Sequence, residues 1–175
     1  PEYVSQKIQE GKAVIAVTAT GEWVGFCYIE AWQHGQFVAN SGLIVAPAYR
    51  KTGIAKKIKH TIFQLSRDKY PNSKLFGLTT GLAVMKINSE LGYEPVTYSE
   101  LTDDEEFWAG CKSCVNYDIL MSKDRKNCMG TAMLYEPKQD TNQQEALVEI
   151  SDKNEDANLF TKINNSKLIS WLRKK

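Results

Sequence analysis

The sequence contains no long apolar run, only two histidines and almost no net charge. No stretch of its 175 residues approaches the roughly 20 apolar residues that a membrane-spanning helix needs. With 22 basic and 21 acidic residues the net charge is +1, so the chain as a whole does not attract polyanions such as nucleic acids. Any affinity for phosphate must therefore come from a local arrangement of charge.

The four cysteines and the first residues give an expectation about the cellular compartment. The sequence opens on Pro1–Val4 without the charged-then-apolar pattern of a secretory signal. Cysteines in a chain without an export signal are usually reduced thiols or metal ligands rather than disulfides. We therefore expect a cytoplasmic protein.

The periodicity of apolar residues predicts a mixed α/β fold. Three β-branched runs, at 12–20, 23–32 and 37–45, are separated by glycine-containing turns and predict an antiparallel meander. Apolar residues then recur at helical spacing from Ile54 to Leu65, and a short strand follows at 74–80. A helix that connects two strands of one sheet makes them parallel neighbours.

The chain after residue 80 predicts a second helix and a capped helical turn. Val84, Ile87 and Leu91 have helical spacing, and Gly92 is a natural residue to end that helix. In the segment 102–108, Thr102 and Glu105 have the spacing of a reciprocal N-terminal cap.

Two late strands and a polar extension complete the predicted domain organisation. Residues 115–121 and 131–136 have the composition of strands. We predict one domain over 1–137, followed at 138–175 by a polar extension. Near the end of the extension, the apolar residues of 168–172 predict a terminal helix.

The strongest local motif is the run LIVAPAYRKTGIAKK at 43–57. An apolar strand ends at a proline, a basic loop follows, and a helix begins after Gly53. The first N–H groups of a helix have no internal partner and carry partial positive charge, so this site favours an anion. Arg50, Lys51 and Lys56 add positive charge, and Gly53 allows close approach. A solvated basic surface beside an ordinary turn is the alternative interpretation.

Two segments resemble the GNAT superfamily of acetyl-CoA-dependent N-acetyltransferases. Residues 50–55, RKTGIA, are similar to the signature Q/R-x-x-G-x-G/A, and residues 87–93, INSELGY, resemble L-Y-x-x-L-G-F. The resemblance covers roughly residues 12–98. It implies a mostly antiparallel mixed sheet flanked by helices and splayed at its parallel central pair of strands. It also implies that the N-terminal strand and helices of the family are short or missing here.

The resemblance also implies a binding mode for acetyl-CoA and a reaction by direct attack of an amine on the thioester. The backbone of one strand would bind the pantetheine arm, and the basic loop would bind the pyrophosphate. A fixed backbone N–H would stabilise the oxyanion. The cofactor-binding residues implied are Leu43, Ile44, Val45, Arg50, Lys51, Thr52, Gly53, Ile54, Ala55, Lys56 and Asn88.

The sequence departs from the family at residues that take part in proton transfer. The family's tyrosine, which protonates the departing thiolate, aligns with Asn88, and the family's asparagine aligns with Gly81. An amide donates a hydrogen bond but does not give up a proton at neutral pH. Glu30 and His34 are candidates for the general base, with a surface carboxylate and a turn histidine as the alternative interpretation. We name Glu30 and Asn88 as the catalytic candidates.

Three of the cysteines have spacings compatible with a metal site. Cys111 and Cys114 form a C-x-x-C pair, and Cys128 follows fourteen residues later. Thiolates on a tight turn suit Zn²⁺, but no fourth ligand has a suitable spacing. We expect unmetallated thiols and keep zinc as the alternative.

The acceptor and the partners remain the least defined part of the sequence interpretation. A small amine or amino acid is the first expectation, and glutamate is suggested by a resemblance to short bacterial GNATs of amino-acid biosynthesis. Acetylation of protein amines is an alternative, and so is a module that binds or senses acyl-CoA without turnover. We expect neither nucleic acid nor a membrane as partner, and a homodimer is left open.

Overall fold

The structure is a computed structural model that describes residues 2–137. Its helices are α1 (Glu2–Gln9), α2 (Ile54–Lys69), α3 (Leu82–Glu90), α4 (Glu105–Gly110) and α5 (Tyr117–Ser122). Its strands are β1 (Ala13–Val17), β2 (Trp23–Trp32), β3 (Phe37–Val45), β4 (Lys74–Thr79), β5 (Glu94–Val96) and β6 (Thr131–Tyr135). Among these residues no helix is both long and apolar enough to cross a membrane.

All six strands belong to one mixed sheet, in the order β1-β2-β3-β4-β6-β5. The first three strands form the predicted antiparallel meander. β3 and β4 are parallel neighbours, as their connection through α2 requires, and the remaining pairs are antiparallel. The predicted mixed and mostly antiparallel sheet is thereby confirmed.

The long helix α2 packs on one face of the sheet, called here the helix face. Its buried residues Ile54, Ile58 and Ile62 recur every four positions, so they form one apolar stripe. They pack into a core with residues from β1, β2, β3, β4 and β6. The second predicted helix, α3, follows β4 and ends where Gly92 takes a left-handed φ of 87°.

The opposite face of the sheet carries an aromatic cluster. Phe76 of β4 lies with its ring centroid 5.5 Å from that of Trp32, 6.1 Å from Phe37 and 5.0 Å from Phe107. Trp108 and Leu120 bring α4 and α5 into the same core. The helix α1 lies on this face as well, because the rings of Tyr3 and Tyr28 of β2 meet edge to face at 5.7 Å.

Two local predictions after residue 100 are wrong. The helix α4 is capped by Asp104, whose side chain accepts from the N–H of Glu106, and not by Thr102. Thr102 is buried, and its carbonyl accepts the indole N–H of Trp108 at 2.9 Å. Residues 115–121 were predicted as a strand but contain most of the helix α5. Leu120 is the buried residue of this helix, so the segment lacks the alternating burial of a strand. The strand prediction at 131–136 is confirmed, and the predicted terminal helix lies outside the described residues.

Candidate functional site

The parallel strands β3 and β4 pair over only three residues each. Phe37–Ala39 lie beside Lys74–Phe76, and beyond Ala39 and Phe76 the register ends although both strands continue. β3 stays paired with β2, and β4 stays paired with β6. A gap therefore opens in the middle of the sheet, with Asn40 on one side and Gly77 on the other.

A β-bulge shapes the β3 side of this gap. Tyr28 lies opposite Ser41 and Phe26 opposite Ile44, so β3 carries one residue more than β2 between these pairs. Gly42 lies in the bulge with a φ of 65°. A Cβ atom at this position would lie 2.3 Å from Cε1 of the Tyr28 ring, so the bulge requires glycine.

The three residues after the bulge alternate between the faces of the sheet. Leu43 and Val45 pack against the core of the helix face, whereas the side chain of Ile44 is 52% exposed. The carbonyl of Val45 accepts a hydrogen bond of 3.1 Å from Nε of Arg50. Arg50 is thereby held beside the end of β3, at the open end of the gap.

The basic loop leads directly into the uncapped N-terminus of α2. Lys51 and Gly53 have left-handed φ values of 64° and 84°, and no side chain caps the helix. The Thr52 hydroxyl donates to the carbonyl of Tyr49 at 2.6 Å, which holds the turn. The first N–H groups of α2 therefore point to solvent together with several cations, an arrangement that attracts anions.

One cation of this loop has a partner on the neighbouring helix. Nζ of Lys56 lies 2.8 Å from a carboxylate oxygen of Glu90 in α3, and both side chains are about half exposed. The facing ammonium lowers the pKa of Glu90. The pair connects α2 and α3 at the surface and reduces the net charge that Lys56 offers to an anion.

Asn88 lies where the gap begins, on the helix face. It is 2% exposed, and its Nδ2 is 3.7 Å from where a Cβ on Gly77 would stand. Nδ2 contacts the sulfur of Met133 at 3.8 Å, and Oδ1 is buried with no hydrogen-bond partner among the described residues. An unpartnered buried amide oxygen costs free energy, so it is a natural contact for a donor on a ligand.

Glu30 lies on β2, on the face opposite α2, and is not the surface carboxylate of the alternative interpretation. Its Oε2 lies 2.9 Å from Nζ of Lys7 in α1, and its Oε1 is buried without a partner among residues 2–137. Burial raises the pKa of Glu30 to about 7, and burial lowers the pKa of Lys7. Glu30 is opposite Ala39, the last β3 residue that pairs with β4.

The remaining sequence candidates lie away from the gap. His34 is exposed in the turn between β2 and β3, at the end of β3 where the strands are still paired. Cys128 lies 2.7 Å from the Tyr98 hydroxyl, and burial raises the pKa of Cys111. Cys114 is exposed. Within residues 2–137, no group of three or more His, Cys, Asp or Glu side chains has an arrangement that could hold a metal ion.

The structure brings two further residues to the gap that the sequence did not single out. Lys59 of α2 is 4% exposed, and its Nζ lies 5.6 Å from the ring centroid of Tyr93. The Tyr93 hydroxyl donates to Oδ1 of Asn40 at 3.4 Å. A lysine inside the apolar stripe of α2, one residue after Ile58, was the sequence feature that could have drawn attention to this position.

The comparisons with known proteins agree with this geometry. Residues 2–86 match the model of the "Acetyltransferase (GNAT) family". The matched residues are therefore similar to the GNAT acetyltransferase family. No curated protein matches the sequence.

Several solved structures share the GNAT fold with this chain. N-acetylglutamate synthase from Neisseria gonorrhoeae, complexed with coenzyme A and N-acetyl-glutamate, has a TM-score of 0.54 and 17% identity, over 78% of this chain and 27% of that chain. Phosphinothricin acetyltransferase from Sinorhizobium meliloti, in complex with AcCoA, has a TM-score of 0.53 and 13% identity, over 84% of this chain and 72% of that chain. A GNAT-family acetyltransferase from Staphylococcus aureus has a TM-score of 0.52 and 13% identity, over 78% of this chain and 76% of that chain. This chain therefore spans about a quarter of the Neisseria enzyme and most of the other two.

Proposed function

We propose that this GNAT domain transfers an acetyl group from acetyl-CoA to the primary amine of a small metabolite or amino acid. The single observation that carries the proposal is the gap between β3 and β4 beside the bulge at Gly42. Backbone groups along the open edge of a strand bind an extended ligand by hydrogen bonds, as in strand addition. The pantetheine arm of coenzyme A is such a ligand, with two amides along its length.

The basic loop supports the same assignment for the other end of the cofactor. A pyrophosphate beside the N-terminus of α2 would accept from the uncapped N–H groups and lie near the exposed cations of residues 50–56. No atom of the described residues lies within 4 Å of the position that a Cβ on Gly53 would take, so the phosphates can approach the backbone there. The loop and the gap lie at consecutive positions along one path, from the end of β3 to its bulge.

Glu30 is the general base in this proposal. It lies one strand away from the start of the gap, on the face opposite α2, so the acceptor would approach from that face while the pantetheine enters beside α2 and α3. An acceptor ammonium must lose a proton before its nitrogen attacks the thioester. A carboxyl group with a pKa raised to about 7 by burial is suited to accept that proton near neutral pH.

The acceptor proposed first is an α-amino acid, with glutamate as the first compound to test. The fold similarity to an enzyme complexed with N-acetyl-glutamate motivates this choice. The half-buried Lys7 beside Glu30 would supply a cation near the acceptor, which suits a substrate that carries a carboxylate. Protein N-termini and lysine side chains are the competing acceptors.

The experiment is release of coenzyme A from acetyl-CoA in the presence of single amines. A panel of amino acids, small polyamines and peptides would be compared, and the acetylated product identified by mass spectrometry. We expect turnover with at least one small amine and little with peptides. Turnover with peptides alone would reassign the acceptor to protein amines.

A binding or sensing module without turnover is the second candidate function. Asn88 favours it, because an amide in place of a tyrosine cannot protonate a thiolate. In that case acetyl-CoA binds by calorimetry with the same loop dependence, but no amine of the panel is acetylated. The two functions differ in turnover and not in binding, so the two measurements together separate them.

A further inference from the structure

We propose that Lys59 is the catalytic acid of this domain, whose ammonium group meets and protonates the departing coenzyme A thiolate. The inference rests on the proposed acetyl transfer and concerns the step for which the family's tyrosine is absent. It is carried by the position of Lys59 at the start of the gap, by its burial and by the unsatisfied amide oxygen of Asn88.

The position of Lys59 follows from its neighbours on the helix face. Its Nζ lies over the Tyr93 ring, with 5.6 Å to the centroid, and the Tyr93 hydroxyl reaches Asn40, the first β3 residue beyond the paired end. On the other side lies Cys27 of β2, whose thiol donates to the carbonyl of Ser41 at 3.2 Å. Lys59 is therefore held beneath the strand along which the pantetheine would run.

The burial of Lys59 is only partly offset by its contact with the face of the Tyr93 ring. Lys59 is 4% exposed, and among the described residues it makes no ion pair and no hydrogen bond. A buried ammonium without a carboxylate is costly, and burial lowers the pKa of Lys59 accordingly. Methionine or leucine would fill the same apolar stripe of α2 without this cost. A charged residue at such a position points to a function that uses its charge.

The groups around Lys59 leave it as the best acid at this place. Within residues 2–137, the facing titratable groups are Cys27 from β2 and Tyr93 from the turn after α3, and no carboxylate faces Lys59. Burial raises the pKa of Cys27 to about 11 and raises that of Tyr93 still further. Both groups are therefore neutral and are poorer proton donors than the ammonium. Asn88 is an amide whose free Oδ1 can orient a donor of the ligand but supplies no proton.

The proton balance of the step is complete with these residues. The acceptor ammonium first loses a proton to Glu30, and its nitrogen then forms a bond to the carbonyl carbon. When the carbon–sulfur bond breaks, the electron pair stays on sulfur, and Nζ of Lys59 transfers a proton to it. The nitrogen sheds its second proton to water as the amide forms. Glu30 then releases its proton to solvent, and neutral Lys59 regains a proton from solvent. Free coenzyme A leaves as the thiol.

The test uses Lys59→Met and Lys59→Gln, with Lys69→Met as the matched control. Lys69 lies at the exposed C-terminal end of the same helix, so the control removes the same charge from α2 at the surface. We expect Lys59→Met to keep or raise the melting temperature, because it replaces a buried charge by an apolar side chain of similar length. We expect its kcat to fall about a hundredfold, the lower end of the range for loss of an acid catalyst. Lys59→Gln should lose a similar factor, because it is polar but cannot donate a proton.

The deciding measurements are a pH profile and a titration of the bound thiol. In the wild type, kcat should fall as pH rises through the lowered pKa of Lys59, since the ammonium is the active form, and both Lys59 variants should lack this alkaline limb. The thiol of bound coenzyme A, followed by the ultraviolet absorbance of its thiolate, should titrate at lower pH in the wild type than in Lys59→Met. Tyr93→Phe should keep both features.

Each contrary result has a distinct meaning. Wild-type kcat and an alkaline limb retained in Lys59→Met would overturn the role of Lys59 while leaving acetyl transfer intact. An unchanged thiol pKa in Lys59→Met would overturn it even if turnover fell. Acetylation found on Lys59 itself would make it an acceptor and not an acid. A wild type that binds acetyl-CoA but acetylates no amine would overturn the proposed function, and this inference with it.

Discussion

The two ends of the β3–β4 pair differ in almost every physical respect. At the paired end, Phe76 is surrounded by aromatic rings from β2, β3 and α4, and the strands hold each other in register. At the open end the strands part, and the gap is lined by a left-handed glycine, an unsatisfied amide and a buried lysine. The unsatisfied amide and the buried lysine each cost stability. The paired end therefore stabilises the fold, and the open end carries features that only a ligand would make favourable.

The largest effect expected from this comparison is on stability, at the paired end. Phe76→Ala should lower the free energy of unfolding by about 3–5 kcal/mol, because it leaves a cavity among three aromatic neighbours. Chemical denaturation measures it. Ile44→Ala is the matched control at the open end, on the same face of the sheet. Its side chain is 52% exposed, so about 0.5 kcal/mol is expected. Similar losses at the two positions would contradict the division into a stabilising and a functional end.

The next effect concerns catalysis by Glu30. Glu30→Gln should lower kcat/KM by about a hundredfold, the lower part of the range for loss of a general base. The carboxylate is the active form, so the wild-type rate should rise with pH through the Glu30 pKa of about 7, and the variant should lack this limb. Glu94→Gln, on exposed β5, is the control and should keep the wild-type profile. A pH profile unchanged by Glu30→Gln would assign the base elsewhere.

The same pKa gives a stability prediction with a defined sign. The raised pKa means that folded protein holds the Glu30 proton more tightly than unfolded protein does. The wild type should therefore lose stability as pH rises from about 4.5, the ordinary pKa of a glutamate, towards 7. Glu30→Gln should lack this part of the loss. Melting temperatures of the two proteins at several pH values in this window check the sign.

A comparison of Gly42 with Gly21 distinguishes the cost of backbone strain from the cost of steric contact. Gly42→Ala forces a non-glycine residue into a left-handed conformation, at a cost of about 1–3 kcal/mol, and places a methyl group against the Tyr28 ring. Gly21 has a similar positive φ of 85°, but no atom of the described residues lies within 4 Å of the methyl group that Gly21→Ala would add. We expect Gly42→Ala to lose more stability than Gly21→Ala and also to weaken acetyl-CoA binding. Equal losses with unchanged binding would show that the bulge does not shape the cofactor site.

The sequence predicted the backbone of the open end of the β3–β4 pair better than the buried side chains around it. The crossover through α2 and the spacing of Gly53 depend on local patterns, and the parallel strand pair and the helix start are both confirmed. The burial of Glu30 and Lys59 depends on helices packed against opposite faces of the sheet, which no local pattern encodes. The helix at 117–122 was mistaken for a strand because a run of six residues with one buried side chain has too little periodicity to decide.

The smallest predicted effect tests the loop at the open end. Gly53→Asp should weaken coenzyme A binding about tenfold, or about 1.4 kcal/mol, because it puts a negative charge where the pyrophosphate would approach. The fold should tolerate it, since Asp accepts left-handed φ values and no atom lies within 4 Å of the new Cβ. An acidic residue at a helix N-terminus also interacts favourably with the dipole, so stability and affinity should change in opposite directions.

Gly53→Asn has the same shape without the charge and should bind more tightly than Gly53→Asp. The difference between the two variants should shrink as salt screens the charge, over about 8 Å at physiological ionic strength. Calorimetric titrations at two salt concentrations measure it. Equal and wild-type affinities for both variants would remove the loop from the cofactor site, and the gap between β3 and β4 would then be the sole support for acetyl-CoA binding.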